Sequence, residues 1–143
     1  MKRKERENMT LSEAIGKLNE LEKASYALNH AQSILYVDGD TVAPKNSWKG
    51  RGKALAYLGE LQYRQLVNEE TGEIFSTILQ HKDETDEITF RRAEELKESY
   101  DDMHVLPMEE FIAWQELTNE AGAVWHDAKE KSDYSMFART WRK

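Results

Sequence analysis

A long run of apolar residues, spaced alternately three and four apart near the amino terminus, constrains the fold most. An α-helix has about 3.6 residues per turn, so this spacing places the run on one helical face. We expect the helix to begin at Thr10, where Thr10 and Glu13 can form a T-x-x-E capping box. Ser25 and Gln32 interrupt the run, which indicates packing inside a domain and not a free-standing coiled coil. The run comprises Leu11, Ala14, Leu18, Leu21, Ser25, Leu28, Gln32 and Leu35.

The rest of the chain alternates helical periodicity with short breaks. The segment 37–44 should end the first helix, because Gly39 is permissive and Pro44 disfavours helical backbone at Ala43. Further helices are predicted at about 47–67, 73–81 and 86–103, with a break at 68–72. Pro107 opens another helix in its first turn, where a missing N–H costs no hydrogen bond. The last segment, 134–143, is too short to assign.

The apolar positions of these helices predict the core. Trp48, Trp114 and Trp125 lie on apolar stripes, so core packing is favoured over a ligand cage. We predict an all-α fold, an antiparallel bundle or array of about four to five helices. Residues 1–9 form a disordered leader, 10–138 a single helical domain and 139–143 an atypical tail. The other expected core positions are Leu55, Leu58, Leu61, Leu66, Ile74, Phe75, Ile78, Leu79, Thr89, Ala93, Leu96, Tyr100, Met103, Phe111, Thr118, Ala121 and Ala128.

The composition excludes several kinds of partner. The chain has 27 acidic and 20 basic residues, a net charge of −7, which disfavours non-specific nucleic-acid binding. No stretch approaches the roughly 20 apolar residues of a membrane span. The absence of cysteine removes disulfides, thiolate nucleophiles and cysteine zinc sites, and it fits a reducing compartment. We therefore expect a cytoplasmic protein that has no nucleic-acid or membrane partner.

The residues predict no assembled active site. The four histidines, at positions 30, 81, 104 and 126, include no pair spaced four apart, and there is no H-E-x-x-H. His126 and Asp127 with Glu130 could reach one metal ion, but a surface histidine beside acids is the favoured interpretation. The chain has neither a nucleophile elbow nor a glycine-rich phosphate loop. We assign no catalytic, cofactor-binding or metal-binding residue.

Three segments nevertheless carry a resemblance to a known family. The first is LYVDGDTVAP at 35–44 with Arg51 downstream, which is similar to L-x-W-D-x-x-T-x-x-P followed by an arginine. The second runs from Tyr100 through Pro107 to Phe111, a tyrosine helix, an apolar–proline step and an acidic–aromatic helix start. The third is AVWHDAKEKSDYSMF at 123–137, which is similar to A-W-x-x-A-(R/K)-x-x-(S/N)-D-F-x-x-F. With their order and spacing, these segments make residues 11–138 resemble the amino-terminal region of the carboxypeptidase Taq family of zinc metallocarboxypeptidases. One position departs from the pattern, since Val37 stands where the family has tryptophan.

The resemblance implies an all-helical fold whose amino-terminal helices form one wall or lid of a deep substrate groove. Full-length members release the C-terminal residue of peptides with a zinc-activated water. The family's zinc ligands and general base lie on an H-E-x-x-H helix far beyond Lys143, and no position here matches them. The chain alone is therefore expected to be inactive and to hold no cofactor, while zinc and the peptide substrate belong to a full-length parent.

The tail at 139–143 suggests why such a chain would stop early. It reads Arg-Thr-Trp-Arg-Lys, where the family continues Pro-Tyr-Leu-Glu-Lys. Loss of one base from the codons CCG TAC CTG GAG AAA ATA gives CGT ACC TGG AGA AAA TA, which encodes the observed tail. A frameshift is thus one hypothesis, beside a different evolved terminus or a deliberately shortened chain. A second functional hypothesis is a helical interaction module that forms homo-oligomers through uncovered apolar stripes.

Overall fold

The computed structural model describes residues 9–138, except for the side chain of Lys45. Over these residues the chain forms only helices and turns, with no strand. The prediction of an all-α fold is therefore confirmed, and five of the helices have 12 or more residues. Residues 1–8 of the predicted leader and the tail at 139–143 lie outside the described residues. The helices are α1 (Leu11–Thr41), α2 (Trp48–Leu66), α3 (Glu69–Gln80), α4 (Glu87–His104), α5 (Met108–Glu130) and α6 (Tyr134–Ala138), with 3-10 turns at Lys45–Ser47 and Lys82–Glu84.

The capping box at the start of α1 forms as the sequence predicts. The backbone N–H of Thr10 donates to Glu13 Oε2 at 2.9 Å, and the N–H of Glu13 donates to Thr10 Oγ1 at 3.3 Å. The hydrogen bond from the Thr10 backbone is the main cause of a lowered pKa for the Glu13 carboxyl. Asp86 caps α4 in a similar way, since its Oδ1 accepts the N–H of Thr89 at 3.0 Å. Both caps satisfy amides that a helix start would leave unpaired.

Two predicted boundaries are wrong. The break was predicted over 68–72, but it comprises only Val67 and Asn68, and the Asn68 side chain accepts the N–H of Thr71 at 2.9 Å and caps α3. Residues 69–72 form the first turn of that helix, because an asparagine cap starts a helix without a longer loop. Gly39, predicted to help end α1, lies inside the helix, which continues to Thr41. No glycine of the described residues has a positive φ, so none is required here by a left-handed turn.

Contacts between Cα atoms group the chain into two compact units. The first unit comprises Met1–Ala27 and Tyr63–Val105, and the second comprises Leu28–Gln62 and Leu106–Lys143. Helices α1 and α2 each contribute residues to both units. The prediction of a single domain over 10–138 stays a prediction. No helix within residues 9–138 is both long enough and apolar enough to cross a membrane.

The first unit has a continuous apolar core. Phe75, Leu18 and Ile78 are its largest fully buried side chains, and the ring of Tyr100 meets Phe75 edge-on at 5.7 Å. Burying each such side chain stabilises the fold by about 1.5–3 kcal/mol. The predicted core positions of the first half of α1 and of α3 and α4 are therefore confirmed. The cluster comprises Ala14, Leu18, Leu21, Leu66, Ile74, Phe75, Ile78 and Ala93, with Met9, Leu11, Ile15, Val67, Leu96, Tyr100 and Met103 partly buried around it.

Polar side chains join the helices of the first unit at the edge of this core. Arg92 Nε donates to Glu22 Oε1 at 2.8 Å, and Arg92 Nη2 donates to Asn19 Oδ1 at 2.7 Å. The hydrogen bond with Glu22 is the main cause of a raised pKa for Arg92. Arg92 therefore holds α4 against α1 through two different side chains.

The second unit differs, because its parts of α1 and α2 meet through polar side chains. Gln62 Nε2 donates to Asn29 Oδ1 at 3.0 Å, and Gln32 Nε2 donates to Gln62 Oε1 at 3.2 Å. These bonds join α2 to the second half of α1. Gln32, which interrupts the apolar run in the sequence, is thus used as a hydrogen-bonding residue between the two helices.

Helix α5 also turns a polar face toward α2. A Cβ atom on Gly59 would lie 3.6 Å from Gln115 Cδ, and one on Gly52 would lie 3.9 Å from Asn119 Cβ. Both distances are ordinary van der Waals contacts, so Gln115 and Asn119 lie next to α2 and a Cβ would fit at either glycine. The buried apolar side chains in the described part of this unit are few, and they are Leu55, Phe111 and Ala128.

The apolar side chains of the second unit point outward instead. Trp48, Trp114 and Trp125 are 37%, 55% and 46% exposed, so the prediction that these tryptophans belong to the core is wrong. Leu61, another predicted core residue, is exposed as well. A helix that turns its polar face to its neighbours leaves its apolar face to solvent. We define the aromatic face of α5 as Trp114, Leu117, Ala121 and Trp125.

Candidate functional site

The candidate site is built on the turn between α1 and α2, which carries the motif at 35–44. The amides of Val42 and Ala43 both donate to the carbonyl of Asp38, at 3.1 Å and 2.9 Å. The hydroxyl of Thr41 donates to the carbonyl of Val37. The two bonds to Asp38 satisfy a carbonyl in the last turn of α1, where carbonyls lack partners within the helix. Pro44 then takes an extended conformation, with φ −56° and ψ 140°, and leads into the 3-10 turn before α2.

Arg51 lies directly against the backbone of Gly39. A Cβ atom on Gly39 would lie 2.5 Å from Arg51 Cζ, 2.6 Å from Nε and 2.8 Å from Nη2. Glycine is therefore needed here for close approach by the guanidinium. Arg51 Nη1 also donates to Ser47 Oγ at 3.4 Å. Gly39 and Arg51, which lie on either side of the turn between α1 and α2, are thus in contact in the structure.

His126 faces the end of α1 from α5. Its Nε2 lies 3.2 Å from Asp40 Oδ1, and both side chains are largely exposed to solvent. An exposed pair of this kind contributes about 0–1 kcal/mol, and it is an ion pair only when the imidazole is protonated. The contact joins residues that are 86 positions apart in the chain.

A cleft of about 500 Å³ lies beside this turn. Its size is within the range of small-molecule sites, and its lining mixes the cation Arg51 with the acids Asp40, Asp127 and Glu130. The three acids outnumber the one arginine, so the described lining is acidic and disfavours a simple anion. The full lining is Gly39, Asp40, Thr41, Ala43, Pro44, Asn46, Trp48, Arg51, Ala123, Val124, His126, Asp127 and Glu130.

The cleft lining includes the three residues that the sequence offers as metal ligands, yet they do not converge. In the described part of the chain, no group of three or more His, Asp or Glu side chains could hold a metal ion. His126 contacts Asp40, while Asp127 is adjacent on the helix and points about 100° away from it. The favoured interpretation, a surface histidine beside acids, agrees with this geometry.

The other histidines are dispersed. His81 Nδ1 lies 2.8 Å from the carbonyl of Thr77, and the ring of His104 stacks on Tyr100 at 5.3 Å. His30 is exposed on α1. None of these three histidines is among the residues that line the cleft.

Sequence reasoning missed one feature of this site and one on α5 outside the cleft lining. Asp40 is the partner of His126, but no local spacing links residues so far apart. Asn119 Nδ2 is buried and has no hydrogen-bond partner within the described residues, although an asparagine on α5 gives no sequence signal of burial. The motif with its downstream arginine was the one signal that pointed to this turn.

Comparison with known proteins places the chain in a class of peptidases. Residues 17–143 match the family model described as Carboxypeptidase Taq (M32) metallopeptidase. The match covers most of the chain, so the chain is of the metallopeptidase class. It belongs, in particular, to the carboxypeptidase Taq family.

A curated relative and a solved structure agree with this placement. Carboxypeptidase 1 of Bacillus subtilis (strain 168) is 26% identical over 110 residues, which are 77% of this chain and 22% of that protein. A solved structure described as "BsuCP Crystal Structure" superposes with a TM-score of 0.82 at 23% identity, covering 89% of this chain and 26% of that one. The structural likeness supports the fold. The chain spans about a quarter of the length of these relatives.

Proposed function

We propose that this chain is the amino-terminal helical part of a zinc-dependent metallocarboxypeptidase, which releases C-terminal residues from peptides. The match to the family over residues 17–143 carries the proposal. The ordered turn at 35–51 supports it, because the motif residues and Arg51 meet there as one structural unit. In such an enzyme, these helices would form one wall or lid of the peptide groove, and the protein would act in the cytoplasm.

The chain by itself lacks the means for this chemistry. A catalytic zinc site needs three protein ligands and an open position for water. The sequence has no H-E-x-x-H, and the described residues do not fit a zinc ion. Zinc, the general base and most of the substrate groove would therefore come from the part of a parent enzyme that this chain does not span.

Zinc analysis and a peptide-release assay test this proposal together. The purified chain is dialysed against zinc, analysed by atomic emission, and incubated with a peptide that has a free C-terminus. We expect far less than one zinc per chain and no released amino acid. Bacillus subtilis Carboxypeptidase 1, assayed in parallel, is the positive control. Stoichiometric zinc with turnover in this chain would refute its predicted inactivity.

A second candidate function is self-association, as a homodimer or a larger oligomer. The described part of the second unit buries three apolar side chains and leaves a larger number of large ones exposed. Where such side chains form a large contiguous patch, a partner usually covers it. Light scattering over a range of protein concentrations measures this directly, and a monomer at every concentration would contradict it. The exposed residues are Ile34, Tyr36, Val37, Val42, Trp48, Tyr57, Leu61, Leu106, Trp114, Leu117, Trp125 and Tyr134.

A further inference from the structure

A groove of about 260 Å³ lies on the first unit, at the start of α4. Its α4 residues are spaced mostly three and four apart, so they share one face of that helix. The volume is below the roughly 300–1,000 Å³ of sites for drug-sized ligands, so the groove suits a smaller molecule. The lining residues are Lys82, Thr85, Glu87, Phe90, Arg91 and Glu94.

The charges of this lining balance, with two basic and two acidic side chains. Arg91 Nη1 donates to Glu94 Oε2 at 2.9 Å, so these two charges already compensate each other. Within residues 9–138, Lys82 and Glu87 have no ion-pair partner. A neutral groove with one such charge of each sign favours a ligand that carries both charges.

Two contacts hold polar groups at the groove. Lys82 Nζ lies 5.1 Å from the centroid of the Phe90 ring, and this cation–π contact leaves the N–H groups of the ammonium able to donate. Thr85 Oγ1 donates to the carbonyl of His81 at 2.8 Å, so its lone pairs can accept a further hydrogen bond. The partly buried ring of Phe90 adds an apolar surface between these polar groups.

We propose that this groove binds a free α-amino acid that has an apolar side chain. The ligand carboxylate pairs with Lys82, its ammonium pairs with Glu87 and donates to Thr85 Oγ1, and its side chain packs on Phe90. The proposed function supplies such a molecule, since a carboxypeptidase releases free amino acids. The meaning of the groove as a product site rests on that function, whereas binding depends only on the first unit.

The same charges select a free amino acid over related molecules. A simple anion would be attracted by Lys82 and repelled by Glu87, and a simple cation would meet the reverse. A residue inside a peptide chain has neither a free ammonium nor a free carboxylate, so it would leave both side chains without a partner. The groove therefore distinguishes a released amino acid from the same residue within a peptide.

An NMR titration of the isotope-labelled full chain with L-phenylalanine tests the site. We expect saturable shifts centred on the amides of residues 82–94, with a dissociation constant of about 2 mM, which is the affinity expected of a ligand of this size. N-acetyl-L-phenylalanine lacks the ammonium, and L-phenylalaninamide lacks the carboxylate. Each should bind about tenfold more weakly or worse, because one charged side chain of the groove then has no partner.

Two variants assign each charge of the ligand to its partner. Lys82→Gln and Glu87→Gln should each weaken L-phenylalanine binding about tenfold. The Lys82→Gln chain should bind L-phenylalanine and its amide about equally, and the Glu87→Gln chain should bind L-phenylalanine and its N-acetyl derivative about equally. Lys23→Gln and Glu98→Gln are matched controls, since both residues are exposed in the same unit and lie outside the groove lining, and they should leave binding unchanged.

Circular dichroism shows whether each variant keeps its helices. Shifts that do not saturate, or that centre on another part of the chain, would overturn the site. Equal binding of the three ligands by the wild-type chain, or binding insensitive to both Lys82→Gln and Glu87→Gln, would overturn it as well. None of these outcomes bears on the carboxypeptidase proposal, which zinc analysis and peptide release test separately.

Discussion

The contact between Gly39 and Arg51 gives the sharpest prediction of the structure, made through the substitution Gly39→Ala. The added Cβ would lie 2.5 Å from Arg51 Cζ, whereas ordinary contacts of this kind are at least about 3.4 Å. The guanidinium must therefore move by about 1 Å. Because it is the end of a flexible side chain, it can move without displacing the backbone.

Two opposing effects decide the sign of the change in stability. Alanine is favoured over glycine inside a helix by about 0.5–1 kcal/mol. Displacing Arg51 removes its packing on Gly39 and its hydrogen bond to Ser47, and it forces a poorer rotamer. Together these losses cost about 1–2 kcal/mol of stability. We therefore expect Gly39→Ala to destabilise the chain by about 0.5–1 kcal/mol.

A double-mutant cycle with Arg51→Ala separates the two effects. Once the guanidinium is gone, the helix preference alone remains, so Gly39→Ala should stabilise the Arg51→Ala chain by about 0.5–1 kcal/mol. The coupling energy should be about 1–2 kcal/mol. Urea unfolding, monitored by circular dichroism, measures the four free energies at one low protein concentration.

Gly16→Ala is the matched control, since Gly16 lies in the same helix and a Cβ there would have no atom within 4 Å. It should stabilise the chain by about 0.5–1 kcal/mol whether or not Arg51 is present. A coupling energy between Gly39 and Arg51 below about 0.3 kcal/mol would show that the close approach does not exist in solution.

Three further predictions concern the first unit. Phe75→Ala should cost about 3–5 kcal/mol in urea unfolding, because Phe75 is 1% exposed, while Ile88→Ala on the surface should stay within about 0.5 kcal/mol. Asn68→Ala should cost about 1 kcal/mol through loss of the α3 cap, and recovery by Asn68→Asp would identify the cap as the cause. Lowering the pH should lower the melting temperature through Glu13 and Asp86. Their pKa values are depressed below the ordinary 4.5 and 3.8, Asp86 mainly by a hydrogen bond from the Thr89 side chain and then by one from its backbone. Their stabilisation is therefore present above those ordinary values and is lost as the pH falls through the folded pKa values. If the melting temperature of the chain with both Glu13→Gln and Asp86→Asn falls with pH as steeply as that of the wild-type chain, this assignment is contradicted.

The sequence predicts the first unit well, because there the helical period and the burial agree. Ala14, Leu18 and Leu21 continue one stripe, and all three are buried against α3 and its neighbours. The capping box of Thr10 and Glu13 is equally local, so it needs no knowledge of distant residues. Local sequence also misleads at one boundary, since Asn68 suggests a break between helices and is the N-cap residue of α3.

The candidate site was only partly predictable, because its contacts join distant parts of the chain. The motif at 35–44 and Arg51 indicate the turn, but a sequence does not show which atom needs the missing Cβ of Gly39. The pairing of His126 with Asp40 has no sequence signal at all. A spacing of residues on one helix can suggest metal ligands, and it cannot show that one of them is already turned toward another helix.

The exposed tryptophans show a more general limit of periodicity. The stripe that contains Trp114 and Trp125 is a correct reading of α5, since these residues do share one face. Periodicity reports that a face is apolar, and it does not report what covers that face. Within the second unit, Phe137 of α6 packs against Trp125, while Trp114 and Leu117 stay exposed, so the unit covers only part of the stripe. The relatives that the chain matches are about four times as long, and their additional length is one source of such cover.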